Sequence, residues 1–572
     1  MKIKISILLL IFSFVSSNVF SQISEGGVPP SFKLTSTRST SSSRIKEYKV
    51  EANKKQINKL LREEAFNISQ TKPSPIATVL PVDYNLTEDG DWTTIQDDIR
   101  ICRLKINAPD ALGIILTYSN FFIPEGNKLF IYNKDKSQVL GAYTNITNPD
   151  GGSFSTEIVY GDELTLEYVE YNNIPANIRI SSVGYGYQGI VNYTKLADEP
   201  EGFNRASYCQ VNINCTEGAD WQTEKRSVTR IYTLIGSIWY RSTGSLINNT
   251  SNDKDPLLLT AAHCIKDRGI IADMSSIQFY FNYEFSGCVN EKKVPEGYKT
   301  MVGANILVLT PLQGGSDGAL LRLNDHIPDD YDVYFNGWDI SEQISKSGVV
   351  IHHPSGDVKK ISTYNTPIRS NTYTDSDGAA MNNAHWAVQY TETLNGFGST
   401  EKGSSGSPLF NQEKLVIGTL TGGNTSCSNT SGTDYYGKLS YHWDKNISEV
   451  HYMKPFLDPI NANVKKMYGL ANIDGKPIDP TQPDESARDA FSFWSEYNSD
   501  ILKIRLKDKT DYIKHISISN LAGYNVYRNP DVKFEGNVDR SYSIPTIGWT
   551  NGIYIIQLET TKNIKYSFKI IK

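Results

Sequence analysis

A short run rich in glycine and serine, Gly403-Ser404-Ser405-Gly406-Ser407-Pro408, constrains the fold of this 572-residue chain more than any other stretch. Glycines around a serine favour a tight loop that exposes the hydroxyl group. In such a loop the backbone N–H groups of Gly403 and Ser405 converge beside that hydroxyl, as acyl transfer requires. Of the three serines, only Ser405 has a glycine two residues before it and another directly after it. We therefore predict Ser405 as a nucleophile and Gly403 and Ser405 as the oxyanion hole.

A histidine upstream supplies a candidate base for this serine. Leu257-Leu258-Leu259-Thr260 is typical of a buried strand, and His263 follows it closely. Serine is a poor nucleophile until a neutral imidazole accepts its proton, and a strand end would fix the position of that imidazole. Among the eight histidines of the chain, we therefore predict His263 as the base.

An aspartate supplies the third candidate residue of a catalytic triad. Asp317 stands just before 319–323, an apolar strand that would bury its carboxylate, whereas the competing acids Asp325 and Asp329 lie in a polar turn. A buried carboxylate orients the imidazole in a Ser-His-Asp triad. The order histidine, aspartate, serine along the chain is that of the chymotrypsin class of hydrolases.

The pair His352-His353 raises the alternative of a metal site. Neighbouring residues of a strand point to opposite faces, so the two rings would not both face one ion. No carboxylate or histidine accompanies them at the spacing of a metal site. We therefore predict no metal and no other cofactor.

Composition excludes some classes of function. The chain has 57 Lys and Arg against 63 Asp and Glu, and the resulting net charge of −6 carries no basic signature for nucleic acid. Apolar residues make up 39% of the chain, as expected of a protein with globular cores. Six cysteines are too few for a disulfide-built scaffold.

The first 22 residues have the pattern of a signal peptide. Lys2 and Lys4 precede a short apolar run, and Val19-Phe20-Ser21 suits a cleavage site. No later stretch approaches the roughly 20 apolar residues of a membrane helix. We predict a protein that is secreted, or attached to the cell surface after outer-membrane export, without a transmembrane segment in its mature form.

The remainder divides into four parts. Residues 23–205 form a predicted pro-segment with a helix within 47–66 and a small β-sandwich over about 91–171. It carries no catalytic constellation, so we expect a folding or inhibitory segment, with a substrate-binding module as the alternative. Residues 206–470 contain many short strands, as β-barrels do. The proline-rich stretch 471–489 is a predicted linker, and 490–572 is a further β-rich domain.

The region 206–470 resembles lysyl endopeptidases, secreted bacterial relatives of trypsin. The resemblance implies a mainly β protein with a chymotrypsin-like double β-barrel, a site in the cleft between the barrels, and the triad His263, Asp317 and Ser405. It rests on Cys209 and Cys215 six residues apart and on the stretches Thr243–Asn249, Thr260–Cys264, Ser316–Leu323, Ile351–Pro354, Gly418–Gly423 and Asp434–Gly437.

The same resemblance implies a substrate pocket with an acid at its base. Asp434 aligns with the family's pocket acid, and Thr421, Gly422 and Gly423 line the wall, although the family carries a histidine where Thr421 stands. In trypsin the acid stands six residues before the nucleophile, and that place is the neutral Ser399 here. The alternative is that Asp434 is a solvated loop residue.

Disulfides Cys209–Cys427 and Cys215–Cys288 are also implied by the resemblance. A third family bridge would use Cys264, but its usual partner is absent, since Arg241 and Ser242 stand there. We expect Cys264 to be a free buried thiol and Cys102 to be left over.

The last domain resembles the C-terminal sorting domain of the type IX secretion system. The likeness rests on Asn520–Gly523, Asn551–Tyr554 and the lysine-rich end Phe568–Lys572. It implies that the secretion machinery is a partner of this chain.

Together these patterns predict a zymogen of a secreted serine endopeptidase that cleaves protein or peptide substrates after basic residues, with Lys preferred at P1 and the balance against Arg open. Lys195 and Arg205 precede the barrel region, and cleavage after Arg205 would leave Ala206 as the new N-terminus. The alternative is a catalytically inactive protease-fold protein that binds without cleaving. The presence of every triad member argues against it, because binding needs none of them.

Overall fold

The fold was examined in a computed structural model of the chain. It describes residues 24–33, 45–66, 74–96, 99–188, 206–291, 294–375, 378–446, 448, 451–471, 477–478, 491–495, 501–507, 512–520, 525–529, 532, 541–549, 553–562 and 565–571. The predicted signal peptide and most of the predicted linker lie outside these residues. The chain divides into two compact units, 1–477 and 478–572, and each is described by itself.

The N-terminal part of the first unit is a β-sandwich. Its elements are the 3-10 helix Pro30–Lys33, β1 (Glu47–Lys49), α1 (Lys54–Phe66), β2 (Ser74–Asn85), α2 (Leu86–Asp89), β3 (Asp91–Gln96), β4 (Ile99–Asn107), β5 (Gly113–Phe122), β6 (Lys128–Asn133), β7 (Val139–Tyr143), β8 (Phe154–Ser155), β9 (Val159–Tyr160), β10 (Glu163–Glu170) and β11 (Asn177–Gly186).

Two sheets enclose the core of this sandwich. One has the order β1-β4-β10-β6-β7, with β3 on β4, and the other contains β2-β11-β5 with β8 and β9. Along β4, Leu104 and Ile106 alternate with more exposed residues and bury their side chains in the core between the sheets. The predicted sandwich is confirmed, and it extends from 74 to 186 rather than from 91 to 171.

The helix expected within 47–66 is present as α1, which occupies only the later part of that range. The first residues of the range form β1, which pairs in parallel with β4 over 105–107, a contact that local sequence does not encode. The helix begins only at Lys54, after Asn53, whose side-chain oxygen accepts hydrogen bonds from the backbone N–H groups of Lys55 and Gln56. Asparagine favours such a capping position because it satisfies donors that the helix itself leaves unpaired.

The region expected to hold the barrels is again mainly β. Its strands and helices are β12 (Val211–Asn212), β13 (Val228–Ile235), β14 (Ile238–Leu246), β15 (Leu257–Thr260), β16 (Lys266–Asp267), β17 (Ile270–Ile271), β18 (Gln278–Phe281), β19 (Lys299–Val302), β20 (Ala304–Thr310), β21 (Gly318–Leu323), β22 (Tyr334–Phe335), β23 (Trp338–Asp339), β24 (Gly348–His352), β25 (Lys360–Tyr364), β26 (Arg369–Asn371), β27 (Thr374–Asp375), β28 (Gly378–Ala379), β29 (His385–Val388), β30 (Pro408–Phe410), β31 (Val416–Gly423), β32 (Asp434–Lys438), α3 (Leu439–Asp444), α4 (Lys454–Leu457), β33 (Lys466–Met467), β34 (Gly469–Ala471) and β35 (Pro477–Ile478). Short 3-10 helices lie at Thr216–Trp221, Glu224–Ser227, Ala262–Cys264, Asp329–Tyr331 and Pro354–Gly356.

The first barrel brings two of the candidate residues together through its strand register. Its strands follow the order β19-β18-β13-β14-β15-β21-β20. β15 and β21 are antiparallel, with Thr260 opposite Ala319. His263 comes three residues after Thr260 and Asp317 two residues before Ala319, so both lie at the same end of this strand pair.

The second barrel carries the nucleophile loop and the pocket wall. Its sheet follows the order β12-β25-β24-β30-β31-β32-β29-β26, and the loop 403–407 leads directly into β30. β31 and β32 are antiparallel with Gly423 opposite Asp434. The predicted double β-barrel of the chymotrypsin type is confirmed by these two sheets.

The N-terminal sandwich is continuous with the first barrel. β2 pairs with β14, with Thr78 opposite Ile238 and Ser74 opposite Arg241. Beneath this seam Ile76 of the sandwich packs in one buried cluster with Trp239 of the barrel. One sheet therefore crosses from the sandwich into the barrel, an arrangement that the sequence did not predict.

Two disulfides stabilise the barrel region. Cys209 pairs with Cys427 across a Cα–Cα distance of 5.6 Å, and Cys215 pairs with Cys288. These are the two pairs that the family resemblance implies. Cys102 and Cys264 are free and buried, as expected from the missing partner of Cys264.

The second unit is a small β-sandwich. Its strands are β36 (Phe491–Ser495), β37 (Ile501–Leu506), β38 (Ile513–Asn520), β39 (Asn525–Asn529), β40 (Ser541–Pro545), β41 (Ile553–Thr560) and β42 (Lys565–Ile571). Sheets of order β36-β37-β40 and β39-β38-β41-β42 contribute side chains such as Ile504, Ile516 and Ile556 to one core. The turn 521–523 and Asn551-Gly552 of the sorting motifs lie outside the described residues. Within the described part of the chain, no helix combines the length and apolar character needed to cross a bilayer.

Candidate active site

His263 and Asp317 form a hydrogen-bonded pair. The Nδ1 atom of His263 lies 2.8 Å from Oδ2 of Asp317, and the backbone N–H of His263 donates to Oδ1 at 3.1 Å. Both carboxylate oxygens therefore hold the histidine, one through its ring and one through its backbone. The other ring nitrogen, Nε2, has no hydrogen-bond partner within the described residues. The pair leaves Nε2 as the atom able to accept a proton.

The backbone around Asp317 is adapted to this contact. Its side chain is fully buried, and its φ of 60° lies in the left-handed region that residues other than glycine seldom adopt. The carbonyl oxygen of Asp317 accepts from the N–H of Ala262, directly before His263. Such unusual backbone geometry is often found at functional sites, where the surroundings fix it.

The electrostatics of the pair favour a charged imidazole. Burial, the largest single influence, would by itself lower the pKa of His263, but the charge and hydrogen bond of Asp317 together with the neighbouring Cys264 outweigh it and raise the pKa well above its usual value. A proton taken up by Nε2 is therefore stabilised by the carboxylate on the opposite side of the ring.

Ser405 lies in the loop beside the strand that leads to His263. Its carbonyl oxygen accepts from the N–H of Thr243, and the Thr243 hydroxyl donates to the carbonyl of Gly403 at 2.8 Å. A Cβ built on Gly406 would lie 2.9 Å from the backbone nitrogen of Ala261, two residues before His263. Only glycine permits this close approach, which brings the three predicted triad residues into one region.

Gly403 is also held by close packing. Its φ is +101°, and a Cβ there would come within 3.1 Å of both the Gly356 nitrogen and the His353 carbonyl. The next residues are fixed by backbone hydrogen bonds, since Ser404 N–H donates to the Glu401 carbonyl and Gly406 N–H to the Leu420 carbonyl. The loop that carries the candidate oxyanion donors is therefore tied to its neighbours on both sides.

The adjacent Ser404 has a different environment. Its hydroxyl lies 2.7 Å from Nδ1 of His352, and it accepts from the N–H of Glu401 at 3.2 Å. The second ring nitrogen of His352 lies 3.0 Å from the Ser362 hydroxyl. Burial lowers the pKa of His352 to about 3, so this ring is neutral. His352 thus supports the nucleophile loop through Ser404. Among the described residues, no group of three or more His, Cys, Asp or Glu side chains is placed to hold a metal ion.

Asp434 lies beneath the glycine wall and not in a solvated loop. It is fully buried, and a Cβ built on Gly423 would lie 2.1 Å from its Oδ1 atom. Thr425 donates to the carboxylate twice, from its hydroxyl at 2.6 Å and from its N–H at 3.2 Å, and the Thr400 hydroxyl donates to Oδ2. Burial raises the pKa of Asp434, and these hydrogen bonds oppose the rise.

A histidine from another strand lies near Thr421, the position at which the resembled family carries a histidine. Nε2 of His385, on β29, lies 3.0 Å from the Thr421 hydroxyl. Burial lowers the pKa of His385 to about 4, so the ring is neutral, and Asp317 is close enough to oppose that shift. Sequence reasoning missed His385 because nothing in its local sequence distinguishes it.

His442 is another residue that the sequence did not single out. Its Nδ1 atom lies 2.7 Å from the hydroxyl of Ser316, the residue before Asp317, and its Nε2 atom lies 3.1 Å from the Thr419 hydroxyl. A Cβ on Gly318 would meet the ring at 2.5 Å, so the ring packs against the backbone that follows Asp317. Burial lowers its pKa to about 3, which makes it a neutral support.

Two separate regions of the chain match models of known protein families. Residues 203–437 match the family model of the lysyl endopeptidase C-terminal domain, and residues 498–572 match that of the secretion system C-terminal sorting domain. One chain thus combines a region similar to lysyl endopeptidases with a region similar to sorting domains. The chain resembles the lysyl endopeptidase of Pseudomonas aeruginosa, with 29% identity over 301 residues that cover 50% of this chain and 60% of that relative.

Two solved structures among the similar ones are also proteases. The active form of the Rv3671c protease from M. tuberculosis is 16% identical and covers 42% of this chain and 89% of its own, with a TM-score of 0.27. The protease Anisep from Arthrobacter nicotinovorans is 18% identical and covers 38% of this chain and 91% of its own, with a TM-score of 0.26. The match to the sorting domain indicates that the chain is secreted.

Proposed function

We propose that this chain is a secreted serine endopeptidase that cleaves peptide bonds after basic residues, with lysine preferred. The single observation that carries the proposal is the buried His263–Asp317 pair beside the loop that contains Ser405, with a His263 Nε2 atom that has no hydrogen-bond partner among the described residues. No structural role requires an unpartnered ring nitrogen at this place, whereas a general base does.

The reaction follows from these positions. Nε2 of His263 takes the proton of the Ser405 hydroxyl as its oxygen attacks the scissile carbonyl, and Asp317 stabilises the imidazolium that forms. The N–H groups of Gly403 and Ser405 donate to the oxyanion. The imidazolium then gives its proton to the leaving amine, and water hydrolyses the acyl-enzyme by the same steps in reverse order.

Preference for lysine is supported by the surroundings of Asp434. A carboxylate that is already desolvated and hydrogen-bonded attracts an ammonium group that has shed its water, while an apolar side chain would leave the negative charge unpaired. Gly423 packs directly against Asp434, where a Cβ would clash with its carboxylate, so glycine at this position lets the wall strand lie close to the charged group. The balance between lysine and arginine depends on the depth of the pocket at Asp434.

The other domains have roles outside the chemistry in this proposal. Residues 23–205 act as a pro-segment that is cut from the protease domain, 206–470, and the stretch 471–489 links the latter to the sorting domain, 490–572. The sorting domain recruits the secretion machinery, and proteins or peptides are the substrates.

Replacement of the nucleophile tests the chemistry. Ser405→Ala should lower kcat by about 10⁴- to 10⁶-fold while leaving thermal unfolding unchanged, because no other group can replace the serine oxygen. Ser407→Ala is the matched control in the same loop, since its buried hydroxyl has no hydrogen-bond partner among the described residues to lose. Near-normal turnover in Ser405→Ala would rule out the proposed triad.

A fluorophosphonate probe separates this proposal from the alternative of an inactive binding protein. The probe labels only a serine that a base activates, so the wild type should be labelled and Ser405→Ala should not. A folded wild-type protein that resists the probe, yet retains peptides, would favour the binding protein.

A further inference from the structure

The first-barrel strand β14 carries the nucleophile loop and the sandwich on the same edge. One edge of β14 pairs with β13 along 238–245. The other edge has three partners in succession, which are β2 at 238–241, the carbonyl of Ser405 at Thr243 and β15 at 245–246. The sandwich therefore places a strand directly beside the nucleophile loop.

β2 runs antiparallel to β14, and its first residue is the one nearest to the nucleophile. Ser74 stands opposite Arg241, two residues before Thr243, and the pairing continues from there away from the loop. Since two residues of a strand span about 7 Å, β2 begins about 7 Å along the edge from the residue that bonds Ser405.

Hydrogen bonds and burial hold β2 in this position. The Nε atom of Arg241 donates to the Ser74 hydroxyl at 3.1 Å, next to the nucleophile loop. At the far end of the contact, the N–H of Val79 donates to the carbonyl of Ser237 at 2.9 Å. Ala77, between these two bonds, is fully buried. The strand is therefore fixed at both ends of the seam.

A peptide substrate needs room for the residues that follow its scissile bond. In the proposed function, the residues before that bond lie along Gly422 and Gly423 of the second barrel. The residues after it leave Ser405 on the side of the first barrel, where β14 is the strand bonded to the nucleophile. Extended peptides bind by adding to such a strand edge. Because β15 fills this edge beyond Thr243, the leaving segment has to run over 238–241.

We propose that β2 occupies the edge that binds substrate residues after the scissile bond, so that the bound sandwich restricts the site to substrates with short leaving segments. A leaving segment of about two residues reaches the level of Arg241, and a longer one overlaps β2. Because β2 belongs to the same chain, it competes with a peptide at an effective concentration on the order of millimolar. The inference rests on the proposed function and names the substrate class of the form that retains the sandwich.

The restriction leaves the chemistry of acyl transfer available. The first pair of the seam is Ser74 with Arg241, so Thr243 keeps its own bonds to Ser405 and Gly403. A small aromatic amide after lysine places no residue on β14. We therefore expect such an amide to be cleaved while the sandwich is bound, and longer peptides to be cleaved once the seam is open.

A series of substrates that differ only after the scissile bond tests the restriction. Each carries Ala-Ala-Lys before the bond, followed by a nitroanilide or by one to four alanines. All of them form the same acyl-enzyme, so differences in kcat/KM report the leaving side. With the sandwich bound, kcat/KM should fall at least about tenfold between one and three alanines. Equal values along the series would overturn the inference.

A variant that opens the seam supplies the second arm. Ala77→Asp places a charge in the buried part of β2, opposite Trp239. Pro81→Asp places the same side chain on an exposed part of β2 beyond the seam. The ratio of kcat/KM for the three-alanine peptide to that for the nitroanilide should rise at least about tenfold in Ala77→Asp. Pro81→Asp should keep the wild-type ratio.

Amide hydrogen exchange reports the seam without any need for activity. The segment 238–241 should exchange slowly in the wild type and in Pro81→Asp, and faster in Ala77→Asp. Faster exchange with an unchanged ratio of kcat/KM would overturn the inference. If Ala77→Asp fails to fold, the substrate series with the wild type decides alone. Absence of cleavage of every substrate, the nitroanilide included, would instead reject the proposed function and the inference with it.

Discussion

Asp434→Asn tests the proposed specificity because the change removes the charge and keeps the shape of the side chain. Both threonine hydroxyls donate to Oδ2, from Thr400 and Thr425, while Oδ1 receives the Thr425 N–H below Gly423. Hydroxyl groups rotate to accept as well as donate, so an amide nitrogen in place of Oδ2 keeps its partners. The fold around the pocket should therefore survive the substitution.

The expected loss of kcat/KM for lysine peptides follows from the burial of the Asp434 carboxylate. Loss of one partner of a buried ion pair costs about 3–5 kcal/mol. At about 1.4 kcal/mol per factor of ten this would lower kcat/KM by about 10²- to 10⁴-fold. The lower half of that range is expected, because the asparagine oxygen still attracts an ammonium group. Cleavage after leucine should change little, since an apolar side chain gains nothing from the charge.

The assay compares peptides that differ only in Lys, Arg, Glu or Leu before the scissile bond. Asp339→Asn is the matched control, because Asp339 is also buried and accepts from the N–H of Ser341 at 2.7 Å but belongs to β23. The reasoning would be refuted by unchanged cleavage after lysine in Asp434→Asn, or by a wild type that prefers Glu or Leu.

Three further predictions concern the base, the loop and export. Because activity needs a neutral His263, kcat/KM should fall as the pH decreases through the raised pKa of this residue. Asp317→Asn should move this decrease to lower pH in a pH–rate profile and should lower kcat by about 10⁴-fold. A decrease at the same pH in Asp317→Asn would contradict the interaction between His263 and Asp317. Gly403→Ala should abolish activity and destabilise the fold in a thermal melt, whereas Gly269→Ala, which has a similar positive φ but open space around it, should keep full activity. Truncation after residue 489 should leave an active purified enzyme that cells no longer release, and normal release measured by immunoblot would reject the sorting role.

The position of His263 beside Asp317 could be predicted from short motifs. The register between β15 and β21 places His263 and Asp317 at one end of adjacent strands, and both strands were recognisable as apolar runs. Ser405 was distinguished from Ser404 by its glycines alone, and the contact of Ser404 with His352 gives that choice a structural reason. These assignments as catalytic groups stay predictions until the substitutions are measured.

Contacts between distant segments could not be predicted in the same way. β1 lies where a helix was expected because it gains a partner in β4, a pairing that depends on the folded sheet. His385 stands beside Thr421 through the pairing of β29 with β32, and no local pattern marks it. The helix start at Lys54, in contrast, has a local signal in Asn53, whose side chain accepts from the N–H of Lys55.

The seam between β2 and β14 would hold two fragments together if the chain is cleaved before the barrel, as proposed. The sandwich contributes backbone pairing, the buried cluster of Ile76 with Trp239, and hydrogen bonds such as that from Gln278 to the Ser155 hydroxyl at 2.9 Å. A single nick leaves all of these contacts in place. The two fragments should therefore co-purify as a heterodimer whose lifetime is set by local unfolding, and the sandwich would leave mainly when it is itself degraded.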